Sequence, residues 1–342
     1  MKRTRRCVGL LVLPPFEQLN LVGPSSVFSF ARKAESPAYE VRLLAATREN
    51  TLRSSSGLTI GPATHYAKFL GPIDTLLVIG GEGAMAPPDA KLKKWLRESS
   101  KRARRIGSIC TGAFLLAEAG LLDSRRVVTH WRYCDRLAQQ YPQLRVQTDP
   151  IFIKDGKVYT TAGVSAGIDL ALALVEEDLG HTAVMQVVRE LMVFPKRPGG
   201  QAQFSYFPIE HEDVSDQGLR DLRSWAAGNL RADLSVARLA KASGMTGRTF
   251  ARRFGEEFHM TPAAWVQSLR VKAARRHLEN DDFSLKEIAS KTGFRDVGSL
   301  RRTFRYHVHT TPGEYQERFR RIIVRKKNDA RSTGARRNRT LG

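Results

Sequence analysis

Three cysteines in 342 residues are too few for a disulfide framework, and their odd number argues for free thiols. Cys7, Cys110 and Cys134 are therefore expected to be reduced, as in a protein kept in a reducing compartment. No apolar run approaches the roughly 20 residues that a bilayer-spanning helix needs, so no membrane partner is expected. The stretch Met1–Arg6 followed by Cys7–Leu13 has the charge order of a secretion signal. Pro14, Pro15 and Glu17 interrupt it, however, and no clean small-residue cleavage site follows. It is read as a first buried strand and the protein as cytoplasmic. The chain is also short of acid: 34 Asp and Glu face 56 Lys and Arg, for a net charge of +22. From Arg223 onward there are 27 basic and only 11 acidic residues, so +16 of that excess sits at one end. A basic balance confined to one end is the footprint of a polyanion partner, usually nucleic acid; on charge alone, a solvated basic surface remains the alternative.

What is present is a hydrophobic fraction of 42%, enough for a sizeable core, in a chain long enough for two domains. Up to about residue 195, short β-branched runs (Val8–Leu13, Tyr39–Ala45, Thr75–Ile79, Ile106–Cys110, Lys157–Thr161) alternate with helical patterns. The helical patterns are Ser25–Ala34, Ala90–Arg105, Thr111–Ala119, Trp131–Tyr141 and Ser165–Leu179. Such alternation predicts an α/β domain over residues 1–195, with a sandwiched, mostly parallel sheet. Prolines, glycines and acids then mark a linker over 196–218. An all-α domain with two helix-turn-helix units is expected over 219–325, and a basic disordered tail over 326–342.

The helical region repeats itself at a spacing of about 50 residues. Val236–Met245 matches Leu285–Phe294, Phe250–Phe254 matches Leu300–Phe304, Thr261-Pro262 matches Thr311-Pro312, and Trp265 matches Tyr315. In each copy the apolar positions (Val236, Leu239, Ala240, Ser243; Leu285, Ile288, Ala289, Thr292) fall on one helical face. Gly244 and Gly293 supply the left-handed residue that closes that helix, and Thr246 and Asp296 are suitable N-caps for the next. Helix, tight glycine turn, helix is the unit whose second helix enters a major groove. The face opposite Phe250/Phe254 and Leu300/Phe304 carries arginines, which can pair bidentately with guanine or hold phosphate. An ordinary helical hairpin could carry one such arrangement; two matched copies point to DNA. The expected interface set is Thr246, Arg248, Thr249, Arg252, Arg253, Arg295, Ser299, Arg301 and Arg302.

From about Leu219 to Phe319 the chain resembles the AraC/XylS-family DNA-binding domain, in which a long helix, here roughly Pro262 to Leu278, bridges two such units. The resemblance implies that both recognition helices dock in successive major-groove segments, with Arg248, Arg252, Ser299 and Arg302 as base-contact candidates. Gly298 stands where some members carry a longer polar residue.

In the first domain, Cys110 sits between a strand and a helix, a nucleophile-elbow position. His130 ends a later short run, and Gly80-Gly81 follow a strand at the rim where ligands bind in open α/β sheets. A Cys/His/oxyanion arrangement can be drawn from them. This half resembles the PfpI-like, class I glutamine-amidotransferase-like superfamily. Nearly the whole chain resembles GlxA-type regulators, through Cys110–Leu122, Thr161–Asp169 and Arg197–Gln203. In the enzymes of that superfamily a carboxylate hydrogen-bonds the cysteine; the matching position here is Asn20, an amide that cannot take a proton. Glu17 lies three residues away. Cys110 is thus open to three roles: a ligand-pocket or vestigial residue, a working nucleophile, or a structural thiol. His130 and Cys134 form an i, i+4 pair with no further ligand cluster, so no metal and no cofactor are expected. His65, His181 and His211 have no partner pattern. The expected ligand set is Asn20, Gly80, Gly81, Cys110, Thr111 and His130. The functional expectation is a non-enzymatic regulator, most simply a homodimer. Its partners would be promoter DNA, RNA polymerase and a small nitrogenous effector such as an amino acid or quaternary amine. The rival is a cysteine-dependent hydrolase or hydratase with an attached DNA module.

Overall fold

The computed structural model describes residues 5–34, 36–194, 200–204, 217–258, 260–281 and 283–319. It divides into two compact units, Met1–Tyr206 and Phe207–Gly342.

The first unit is built on a seven-stranded sheet. In chain order the strands are β1 (Arg6–Val12), β2 (Tyr39–Ala45), β3 (Thr64–His65), β4 (Thr75–Ile79), β5 (Arg105–Ile109), β6 (Phe152–Asp155) and β7 (Val158–Thr161). Their spatial order is β6-β7-β5-β4-β1-β2-β3, parallel throughout except for the antiparallel β6–β7 pair at one edge. β1 and β4 are almost wholly buried, and β1 reads Cys-Val-Gly-Leu-Leu-Val without alternation. That is the signature of a strand covered on both faces. One face packs on helices α1 (Gln18–Phe30), α5 (Ala166–Leu179) and α6 (His181–Leu191) around Val8, Leu10, Val27, Phe28, Leu170 and Leu174. The other carries α2 (Ala90–Arg102), α3 (Gly112–Glu118) and α4 (Cys134–Gln140), with Leu11, Leu76, Leu96, Phe114 and Leu137.

Several boundaries differ from the sequence reading. The first helix starts at Gln18 rather than Ser25 and runs through Pro24. Glu17 caps it by accepting from Leu19 N–H, and Asn20, Leu21, Gly23 and Pro24 are buried, which offsets the backbone bond that proline forgoes. The Trp131–Tyr141 pattern is a 3-10 turn, Trp131–Tyr133, leading into α4. The strand before His130 is only Arg126–Val127 and pairs with Arg145–Val146 in a separate two-stranded sheet. Part of the expected 196–218 linker is also different: Gly200–Phe204 is bound to the first unit. The remainder up to residue 216 and the 326–342 tail lie outside the described residues.

The first described element of the second unit is α7 (Gln217–Gly228). Next come α8 (Val236–Ala242), α9 (Gly247–Phe258), α10 (Pro262–Asn280), α11 (Leu285–Lys291), α12 (Val297–Val308) and α13 (Pro312–Phe319). Its two cores reproduce the repeat. Phe254 meets Trp265 edge-on with centroids 5.2 Å apart, and Phe304 meets Tyr315 edge-on at 5.4 Å. Thr261 Oγ1 accepts from Ala264 N–H, and Thr311 Oγ1 accepts from Glu314 N–H, both at 3.2 Å. The 19-residue α10 serves both cores: Trp265, Val266 and Leu269 enter the first, Val271, Ala274 and Leu278 the second. At 3.6 residues per turn these two sets fall on roughly opposite faces of one rod.

Candidate functional site

In the second unit, burial of Phe250, Phe254 and Phe258 orients α9, and burial of Leu300, Phe304 and Val308 orients α12. The same i, i+4 spacing that sinks those aromatics drives Arg248 and Arg252, and in the second copy Arg302, to the surface, where all three are exposed. Arg253, Arg295 and Arg301 are exposed as well, whereas Thr249 and Ser299 are half-buried. Thr246 Oγ1 accepts from Thr249 N–H, and Asp296 caps α12 by accepting from Ser299 N–H at 2.6 Å. Arg252 holds Glu256 at 2.8 Å, an exposed i, i+4 pair of the kind that contributes only about 0.3–0.5 kcal/mol, so a phosphate or base edge can displace it cheaply.

Three cationic residues that the sequence reading left out of the interface set lie beside it. Arg231, Arg270 and Lys286 line a cleft of about 930 Å³ together with Arg295 and Ser299. Arg231 precedes the first repeat and Arg270 is on the bridging helix, so neither belongs to a recognition helix and no local pattern flags them. Arg270 donates to Leu230 O at 3.3 Å, and the same carbonyl lies against the second turn, 1.9 Å from where a Cβ on Gly293 would stand. The segment before the first helix-turn-helix is thereby seated on the turn of the second.

In the first unit, Cys110 sits at the elbow between β5 and α3 with φ +59°, a conformation that costs a non-glycine residue about 1–2 kcal/mol. Its N–H donates to Thr161 O at 2.9 Å, and its carbonyl accepts from Thr129 Oγ1 at 2.8 Å. The thiol is walled in. A Cβ on Gly80 would fall 2.8 Å from Cys110 Cβ, and one on Gly163 would fall 2.1 Å from it. Asn20 is fully buried; it donates to Gly80 O at 3.0 Å and accepts from Val164 N–H at 2.5 Å. Gly81 N–H, the drawn oxyanion donor, is spent on Thr111 Oγ1 at 2.8 Å, and Thr111 returns a bond to Gly81 O.

Burial pushes the Cys110 thiol up to about 11, against the lowering effect of hydrogen bonds from Thr111 and Asn20. Burial and the Arg132 charge hold His130 below its ordinary value, and its Nδ1 accepts from Arg132 N–H at 3.3 Å. Cys134 turns its thiol onto the carbonyls of Thr129 and His130. Among the described residues no group of three His, Cys, Asp or Glu could hold a metal ion, and no helix is long and apolar enough to cross a membrane. The ligand set is therefore split. Asn20, Gly80, Gly81, Cys110 and Thr111 form a closed niche, while His130 faces a separate cavity of about 240 Å³ that none of those five lines. A thiol with this pKa is almost wholly protonated at pH 7, so Cys110 should react with iodoacetamide at least a hundredfold more slowly than free cysteine. The rate should climb as pH rises toward 11, because only the thiolate attacks. Labelling at the free-cysteine rate at pH 7 would contradict the closed niche.

Residues 6–177 match the DJ-1/PfpI family, and residues 239–318 match a helix-turn-helix domain. The HTH-type transcriptional regulator CdhR of Pseudomonas aeruginosa is 28% identical over 307 residues, covering 89% of this chain and 89% of that protein. The HTH-type transcriptional regulator GlxA of Rhizobium meliloti is 27% identical over 316 residues, 91% of this chain and 95% of that one. Isonitrile hydratase of Pseudomonas putida is 33% identical over 194 residues, 56% of this chain and 80% of the enzyme. Among solved structures, a THiJ/PfpI family protein from Pseudomonas syringae aligns with a TM-score of 0.50 at 24% identity, covering 66% of this chain and 87% of that one.

Proposed function

The chain belongs to the DJ-1/PfpI family and carries an AraC-type helix-turn-helix region behind that domain, and from that premise we propose that it is a ligand-responsive, sequence-specific transcription regulator. The observation that carries this reading is the pair of matched helices, α9 and α12, each presenting exposed arginines and each anchored to α10. Relatives named as regulators align over about nine-tenths of the chain, which supports the same reading. The α/β unit senses a small metabolite, an amino acid or quaternary amine being the best candidate class, and mediates homodimerisation in the cytoplasm. The protein acts on promoter DNA together with RNA polymerase.

Binding should be strongly electrostatic. With about six phosphates neutralised, affinity for duplex DNA should fall about a thousandfold between 50 and 200 mM salt. Fluorescence anisotropy across that range measures it, and a slope near zero would remove the regulator reading.

The 33% identity to isonitrile hydratase favours a second reading, a cysteine-dependent hydratase. The buried protonated thiol, the occupied Gly81 N–H and the amide at Asn20 weigh against it. Isonitrile hydration by the full chain should not exceed that of Cys110→Ala; clear turnover lost in the variant would reverse the choice between the two.

A further inference from the structure

The cavity beside the closed cysteine niche has an unusual wall. All its lining residues belong to the first unit, but whereas His130, Trp131, Ile151 and Val164 come from the α/β body, Gln201 and Phe204 come from that unit's last described segment. That segment, Gly200–Phe204, is latched down. Gln201 is 4% exposed; its Oε1 accepts from Trp131 N–H at 2.8 Å, and its Nε2 donates to Thr129 O at 3.0 Å and Pro150 O at 3.2 Å. Its backbone N–H donates to Asp149 O at 2.7 Å, and Ala202 N–H donates to Asp149 Oδ1 at 3.0 Å. Gly200 is a glycine of close approach, since a Cβ there would fall 2.2 Å from Asp149 Oδ1. Among the described residues, every side-chain bond of Gln201 ends on a loop, 129–131 or 149–151, that also contributes to the cavity. Phe204, which lines the cavity, is 47% exposed.

The chemistry of the walls limits what fits. Among the described residues no Asp, Glu, Lys or Arg lines the cavity, and His130 is neutral near pH 7 for the reasons given above. A net charge brought inside would be desolvated without a counter-charge, at a cost of several kcal/mol. At about 30 Å³ of liquid volume per water molecule, 240 Å³ holds about eight water-sized groups.

We propose that this cavity is the effector site, that it takes a compact, net-uncharged metabolite (zwitterions included) of about that size, and that the Gly200–Phe204 strap is its movable wall. Occupancy bears on Phe204 and on the loops holding Gln201, so it changes how the strap is latched and thereby acts on the DNA-binding unit that follows it in the chain. A ligand shifts DNA affinity only as far as it distinguishes latched from unlatched strap. The inference rests on the reading of the chain as a DNA-binding regulator.

The test uses the full chain and the duplex that the wild-type protein selects from a random-sequence library. Gln201→Ala removes the three side-chain bonds, and Ile151→Trp fills the cavity without touching them. In both variants, amide hydrogen exchange over 200–204 should rise at least tenfold, and the dissociation constant for the duplex should shift at least fivefold in the same direction. Loosened exchange with duplex affinity within twofold of wild type in both variants would overturn the strap, as would shifts of opposite direction. Unchanged exchange in Ile151→Trp would overturn the link between cavity and strap. Should Gln201→Ala fail to fold, Ile151→Trp carries the test alone. If the wild-type chain selects no duplex, the regulator reading itself fails and this inference with it, an outcome distinct from the others.

Discussion

Replacing Arg252 and Arg302 together by alanine is expected to cut affinity for the selected duplex at least a hundredfold while leaving the fold intact. Each side chain projects from the exposed face of one of the two proposed recognition helices, α9 and α12, whose opposite faces are pinned in separate cores. A good bidentate arginine–guanine contact contributes about 1–3 kcal/mol of discrimination. The two sites sit in different modules and share no partner among the described residues, so their losses should add. Folding should hardly register the change, because exposed substitutions away from caps and cores usually stay within about 0.5 kcal/mol, and the surrendered Arg252–Glu256 pair is solvent-screened. Anisotropy titration beside a thermal melt separates the two effects. Lys94→Ala, an exposed cation on α2 of the other unit, serves as the control and should leave affinity within twofold. Equal affinity for the double variant and wild type would mean that these helices do not read DNA.

The second large effect comes from the paired glycines of the two turns. Gly244 and Gly293 occupy equivalent positions with φ of +65° and +77°, so alanine at either incurs the left-handed penalty of about 1–2 kcal/mol. Their surroundings differ sharply. A Cβ on Gly244 meets nothing within 4 Å, whereas one on Gly293 would stand 1.9 Å from Leu230 O and 3.0 Å from Arg270 Nε. The carbonyl is backbone and cannot rotate away, so the Leu230–Arg231 segment must move and the Arg270–Leu230 bond must be lost. Gly293→Ala should therefore destabilise the helical unit by about 3 kcal/mol or more and weaken DNA binding at least tenfold. Gly244→Ala should stay near the intrinsic penalty. Denaturant unfolding of both variants measures the contrast, and equal losses would show that the Leu230 contact does not hold the two modules in register.

The helical unit was legible in the sequence because its determinants are local. The 3.6-residue periodicity around Phe250 and Phe304, the left-handed glycines and the threonine and aspartate caps each act over a few residues, and the 50-residue repeat let one copy corroborate the other. The mostly parallel sheet was legible for a similar reason, since Val8–Val12 of β1 and all of β4 are apolar or β-branched runs broken only by Gly9, and β2 keeps such residues despite Glu40 and Arg42. The rim was not. His130 arrives by a two-residue strand outside the main sheet, and Gln201 reaches Trp131 across 70 residues. Whether Cys110 opens to solvent depends on Gly80 and Gly163, distant in sequence and close in space. Proline and glycine around 195–200 read as a linker, yet Gly200 is small because Asp149 lies against it. Long-range contacts of this kind leave no period in the chain. They also explain why a cysteine in an enzyme-like elbow could be recognised while its accessibility could not.

Two arginine-bearing helices acting on one duplex is the claim from which the remainder follows. Hydroxyl-radical footprinting of the full chain on its selected duplex, with wild type, Arg252→Ala and Arg302→Ala in parallel, tests it most directly. Two protected segments on one face of the DNA are expected, with each single variant losing protection and base discrimination in a different segment. Uniform protection without discrete boundaries, or both variants affecting the same segment, would contradict it.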